Sequence, residues 1–146
     1  MDTVVELAQK HKSLLFGVKR ETEASLQQIE HSLGVTLPED VRWFLISCGY
    51  GPANAIPNIA RSVSDTERFR RAVGIPKEYV VLEDRNDSGA VLLDTNSPLG
   101  AVLWVDTHAL VKVGRQALAP NECDHFPNFA SWVACCVEME ADENAT

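Results

Sequence analysis

Four cysteines, four histidines and 21 acids against 13 basic residues are the groups with which this 146-residue sequence could do chemistry. Asp84-Arg-Asn86-Asp-Ser88-Gly89 places oxygen ligands at alternate positions and glycine sixth, as a calcium loop begins. The twelfth position is Thr95 rather than a bidentate Glu, and strand-forming runs flank the segment, so an ordinary turn is expected. Cys123 and His125 with Cys135 or Cys136 would supply three zinc ligands. The tight cysteine pair of a zinc site is missing, however, and neighbours on a helix point about 100° apart. No local signature pairs a Cys or Ser nucleophile with His11, His31, His108 or His125. The glycines are scattered rather than grouped into a phosphate cradle, and adjacent acids such as Glu83 and Asp84 face opposite sides of a strand. No catalytic residue, cofactor or metal site is expected, and the chain is expected not to be an enzyme.

Charge is the remaining signal. The net charge is −8, and it is unevenly spread. Residues 116–146 contain Glu122, Asp124, Glu138, Glu140, Asp142 and Glu143 with no Lys or Arg, and residues 78–115 sum to −3. Only residues 61–77 lean basic, at +3, through a helix carrying Arg68, Arg70 and Arg71 that reads as a solvated face with local ion pairs. Direct nucleic-acid binding needs the opposite sign, so a basic protein partner is expected. Glu83, Asp84, Asp87, Asp94, Asp106, Glu122 and Asp124 fall at strand ends and loops, where a rigid scaffold displays recognition residues, and are expected to include the partner-binding surface.

The elements that would carry these acids follow from periodicity. Helical spacing marks residues 2–16, a helix over Thr22–Leu33 ended by Gly34, and a third in which Pro38 takes the first helical position ahead of Val41, Phe44, Leu45 and Cys48. Tyr50–Ile59, with Pro52 and Pro57, reads as a loop. Ser64 and Glu67 have capping-box spacing, so a fourth helix is expected over Asp65–Val73. Short β-branched runs follow at Tyr79–Leu82, Val91–Leu93, Val102–Val105 and Leu110–Val113, with connections too short for parallel crossovers. Cys123 reads as loop. A last helix follows Pro127, with a frayed acidic end from Glu138. The fold class is therefore α+β: N-terminal helices on a mainly antiparallel sheet of four or more strands, with a C-terminal helix.

The chain is long enough for one domain to bury its own core, and it has no apolar run approaching the roughly 18 residues of a membrane helix. Met1-Asp2 and the residues after them lack the basic and apolar regions of a signal peptide, so a cytoplasmic location with reduced cysteines is expected.

The run Leu26-x-x-Ile-Glu-x-x-Leu-Gly-Val-x-Leu-Pro-Glu-Asp40, then Trp43-Phe44-Leu45 and Gly49-Tyr50-Gly51, closely resembles the opening of the SUKH superfamily of Smi/Knr-type domains. So do the acidic hairpin Asp84–Gly89, Leu93-Asp94, Gly100 leading to Trp104, and Phe126-Pro-Asn-Phe129-Ala-x-Trp132. The resemblance spans about residues 22–138 of a single domain, leaving residues 1–20 as an N-terminal helix and 139–146 as an acidic tail. Its motif is structural: Gly34 reverses the chain, Leu37 and Pro38 fix helix entry, and Trp43, Phe44, Trp104, Phe129 and Trp132 fill space around the sheet. The resemblance implies a non-enzymatic binding protein. It points to an immunity protein that neutralises a cognate toxin domain of a polymorphic or contact-dependent inhibition system, with a cationic nuclease or other nucleic-acid-targeting enzyme fitting the charge. The alternative it implies is a regulatory or scaffold adaptor binding another protein.

Overall fold

Several helices begin where a side chain satisfies a free backbone amide. The computed structural model describes residues 3–17, 19–51 and 55–145, with side chains to residue 140. α1 (Val4–Lys10) starts from Thr3, whose hydroxyl accepts the Glu6 amide at 3.1 Å. His11 then leaves the helical region and α2 (Lys12–Leu15) resumes for one turn, so the single helix expected over residues 2–16 is two. α3 (Glu23–Leu33) has a reciprocal capping box: the Ser25 amide donates to Thr22 Oγ1 and the Thr22 amide to Ser25 Oγ. Gly34 ends α3 in the left-handed region at φ 68°, where a side chain would be strained.

α4 (Glu39–Ser47) corrects the placement of Pro38, which is the N-cap rather than the first helical residue. Val41, Phe44 and Leu45 are buried, whereas Trp43 only packs against the core from its margin. α5 (Ile59–Ala72) is a larger correction. Its cap is Asn58, which accepts the Arg61 amide at 3.1 Å, and the expected Ser64–Glu67 box lies inside the helix. Ser62 concealed this start, because it looks like a surface residue and is nonetheless buried, as is Thr66 one turn on. Arg70 is likewise no solvated cation: it donates to the carbonyls of Leu33 at 2.9 Å and Lys77 at 2.6 Å, and burial lowers its pKa.

The sheet is an antiparallel meander in the order β1 (Tyr79–Asp84), β2 (Ala90–Asp94), β3 (Val102–Val105) and β4 (Cys123–Phe126). The expected fourth strand, Leu110–Val113, is instead the end of a 3-10 turn over Thr107–Lys112 and the residue after it. The Asp106 carboxylate accepts the Thr107 amide at 3.0 Å to start that turn, and Ala109, Leu110 and Val113 then cover Val81, Leu92 and Val105. The opposite face, built from Val80, Leu82, Val91, Leu93 and Val102, packs on α1, α3, α4 and α6 (Phe129–Ala145). α6 continues through the segment expected to fray, whose Glu, Met and Ala residues favour helix; the side chains beyond residue 140 lie outside the described set, as does Pro52 of the loop.

α5 lies along β1 and supplies what a fifth strand would. The Val81 amide, which points away from β2, donates to Thr66 Oγ1 at 2.9 Å, and Ser62 Oγ donates to the Leu82 carbonyl at 3.1 Å. Thr66 Oγ1 in turn donates to the Ser62 carbonyl at 2.6 Å. Replacing this hydroxyl by a methyl strands a buried amide. Thr66→Val is therefore expected to lower unfolding free energy by about 1–3 kcal/mol in urea titration. The exposed control Thr36→Val is expected to stay within about 0.5 kcal/mol.

Candidate partner-binding surface

Strand register decides which acids meet. Asp84, Ala90, Val105 and Cys123 are successive cross-strand neighbours and so mark one end of the sheet. Glu83, Asp84, Asp87, Asp106, Glu122 and Asp124 lie at that end. Asp94 does not: it pairs across from Tyr79 at the other end, where its carboxylate accepts the Asn96 amide at 2.9 Å.

The hairpin between β1 and β2 is held by backbone geometry. Arg85 N–H donates to the Gly89 carbonyl at 2.9 Å, and Asn86 adopts φ 55°. Gly89 has φ 93°, and a Cβ there would stand 2.0 Å from the Val105 carbonyl oxygen, so only glycine lets the hairpin lie this close to β3. Trp104 Nε1 donates to the Ser88 carbonyl and Thr107 Oγ1 to the Asn86 carbonyl, both at 2.8 Å, fastening the tip to β3 and the 3-10 turn. Asp84 is thus occupied by protein donors rather than open to a cation: Arg68 reaches it at 2.7 Å and the Asn86 amide at 2.9 Å. Among the described residues no three His, Cys, Asp or Glu side chains converge as a metal-holding group.

The acids differ in how much charge they present. Glu83 pairs with Arg85, whose guanidinium also lies 4.3 Å from the centroid of the Trp104 ring, so this cation is engaged twice within the chain. Glu122 takes Lys112 at 2.6 Å and the Ala119 amide at 2.9 Å; the Lys112 ammonium and that amide hold its carboxyl below the usual range. Asp106 faces His108 Nε2 at 3.0 Å. Asp87 and Asp124 are exposed and have no ion pair among the described residues. An open groove of about 300 Å³ runs past Ser88, Trp104, Asp106, Glu122 and Asp124. Such a surface attracts cations and offers an aromatic edge to pack against.

The thiols are poor nucleophiles here. Burial pushes Cys48 up to about 11 and Cys136 up to about 12, and it also raises Cys123 and Cys135. Trp104 is only partly buried, while Phe129 and Trp132 are fully packed, Phe44 against Phe129 edge to face at 5.5 Å. Glu30, which stands in the motif with no role evident from sequence, accepts the Leu37 amide at 2.7 Å and Arg42 Nη1 at 2.6 Å, joining α3 to the start of α4. Also missed from sequence were β4 itself and the role of Lys112; the local ion pair expected for Arg68 forms with Asp65 at 3.1 Å, and only its reach to Asp84 was not foreseen. Cys-Asp-His-Phe between Pro120 and Pro127 has no apolar/polar alternation, so the sequence held no clear signal for β4.

The sequence matches the SUKH_5 family model, described as SMI1-KNR4 cell-wall, over residues 1–137. The match takes in α1 and α2, where the motif carries no signal. A search of curated proteins gives no match.

Burial pushes the Asp84 carboxyl up, but Arg68 and the Asn86 amide outweigh it and leave its pKa lowered. The stabilisation from a depressed carboxyl is full above the ordinary Asp value of about 4 and fades as pH falls through the folded value. Asp84→Asn is therefore expected to cost stability in urea at pH 7 and to converge on the parent below about pH 4. A difference constant across that range would contradict the assignment.

Proposed function

From the premise that this chain belongs to the SUKH_5 (SMI1-KNR4) family, we propose that it is a non-enzymatic, cytoplasmic immunity protein that holds a basic toxin domain against the acidic end of its sheet. The observation that carries this reading is the gathering of six carboxylates at one sheet end, with Asp87 and Asp124 exposed and without an ion pair among the described residues. No helix of the described residues is long and apolar enough to cross a membrane.

The physical route is electrostatic. A nuclease or other nucleic-acid-targeting toxin presents Lys and Arg where it binds phosphate. Carboxylates fixed on a rigid sheet end substitute for that phosphate, steer the encounter and leave the site occupied. Internal pairing fixes the geometry: Arg68 and Lys112 tie Asp84 and Glu122 in place, and Arg85 is paired with Glu83 and stacked on Trp104. The hot spot would then be Trp104 with its surrounding acids, an aromatic anchor within a charged rim.

The test is co-expression with the polypeptide encoded by the neighbouring open reading frame, which this reading expects to be toxic on its own. Wild type is expected to rescue growth, and Asp87→Lys with Asp124→Lys to slow association about tenfold or more and flatten its salt dependence. The melting temperature should hardly move, because exposed acids contribute little to stability. Glu39→Lys with Glu67→Lys makes the same charge change elsewhere and should protect like wild type. Equal protection by both double variants, with the salt slope intact, would place the interface elsewhere.

A further inference from the structure

The two edges of the sheet are treated differently. At β1, the outward Val81 amide and Leu82 carbonyl are taken by Thr66 and Ser62, and the Tyr79 amide donates to the Pro76 carbonyl at 3.1 Å. The phase of hydrogen bonding at β4 follows from two bonds beyond the strand ends. Asp94 N–H donates to the Ala101 carbonyl at 2.9 Å, in register with the β2–β3 ladder. Asp106 N–H donates to the Glu122 carbonyl at 2.8 Å, in register with β3–β4. In an antiparallel ladder, bonded and non-bonded pairs alternate. Leu103 and Val105 therefore bond to β2, Val102 and Trp104 bond to Phe126 and Asp124, and the amides and carbonyls of Cys123 and His125 point away from the sheet. Among the described residues no hydrogen bond is made to them on that side, where β4 is the edge of the sheet.

We infer that β4 takes up an extended segment of the partner as a fifth antiparallel or parallel strand, with basic residues on one face of that segment and apolar residues on the other. The inference rests on reading this chain as a binder of a basic protein. The alternation follows from what flanks the edge. A strand added beside β4 carries side chains alternately next to Asp124, on the face where the groove holds Asp106 and Glu122, and next to Cys123 and His125 on the other. That second face opens over a groove of about 370 Å³ lined in part by Tyr79, Leu103, Val113 and Leu118. Lys or Arg suits the first row and Val or Leu the second, while main-chain hydrogen bonds supply affinity that does not depend on either. A second copy of this chain is the poorer occupant, since pairing β4 with itself brings two net charges of −8 together and sets Asp124 near its own counterpart.

The experiment uses the full chain and an acetylated, amidated peptide, Lys-Val-Lys-Val-Lys-Val, read by amide exchange in NMR. Saturating peptide is expected to slow exchange at Cys123 and His125 about tenfold or more, as new strand hydrogen bonds form. The same peptide N-methylated at alternate residues should lose this protection on wild-type protein, which keeps the test independent of any variant's folding. His125→Pro removes an outward amide that β3 does not use, so it should retain the melting temperature and lose the peptide. A Lys-Ala helical peptide of equal charge serves as the second arm. If it binds in a salt-dependent way while the extended peptide leaves Cys123 and His125 unprotected, strand addition is overturned and the acidic-surface reading survives. If neither peptide binds, both fail. If instead the chain dimerises with concentration and His125→Pro abolishes the dimer without any peptide protection, the occupant is a second copy and the inference is wrong.

Discussion

The β1 edge of the sheet turns on the Thr66 hydroxyl, which accepts the Val81 amide and donates to the Ser62 carbonyl. It lets a helix, rather than a strand, finish the β1 edge. With α5 seated there, one sheet face is left for the remaining helices and the other for the 3-10 segment after β3. The sheet can then grow only at β4. Buried hydroxyls are tolerable in such a position because each is fully bonded, and that condition fixes the rotation of α5 about its axis more tightly than apolar contact alone would.

The acidic end inherits its shape from the same constraint. Arg68 projects from α5 to Asp84, so the helix that closes the edge also anchors the first acid of the hairpin. Gly89 and the Trp104 indole bring the hairpin tip down onto β3, and Lys112 on the 3-10 segment fixes Glu122 just ahead of β4. Much of the formal charge is thereby neutralised within the chain. What remains outward, at Asp87, Asp106 and Asp124, is a smaller and better-defined field than six free carboxylates would make. A rigid, partly compensated rim favours discrimination between basic partners over indiscriminate attraction.

The sequence announces apolar periodicity clearly and polar burial hardly at all. α3 and α4 were legible because Leu26, Leu33, Val41, Phe44 and Leu45 keep helical spacing beside Gly34 and Pro38. The first half of α5 was hidden because its inward face includes Ser62, Asp65 and Thr66, which no hydrophobic pattern marks as core. Leu110–Val113 looked like a strand because a β-branched run reads the same whether it pairs or merely covers a sheet, and β4 looked like a loop because half of its side chains are exposed. The acids themselves were visible, but not which end of the sheet each occupied. Asp94 falls at the wrong end for a reason only register supplies.

The central claim is a sheet closed at β1 by hydroxyls and open at β4. Native-state hydrogen exchange on the free protein tests it directly, amide by amide. Val81, Asp124 and Phe126 should exchange only through unfolding, while Cys123 and His125 exchange within about tenfold of an unstructured peptide. Protection of Cys123 and His125 equal to that of Asp124, or free exchange at Val81, would contradict the account.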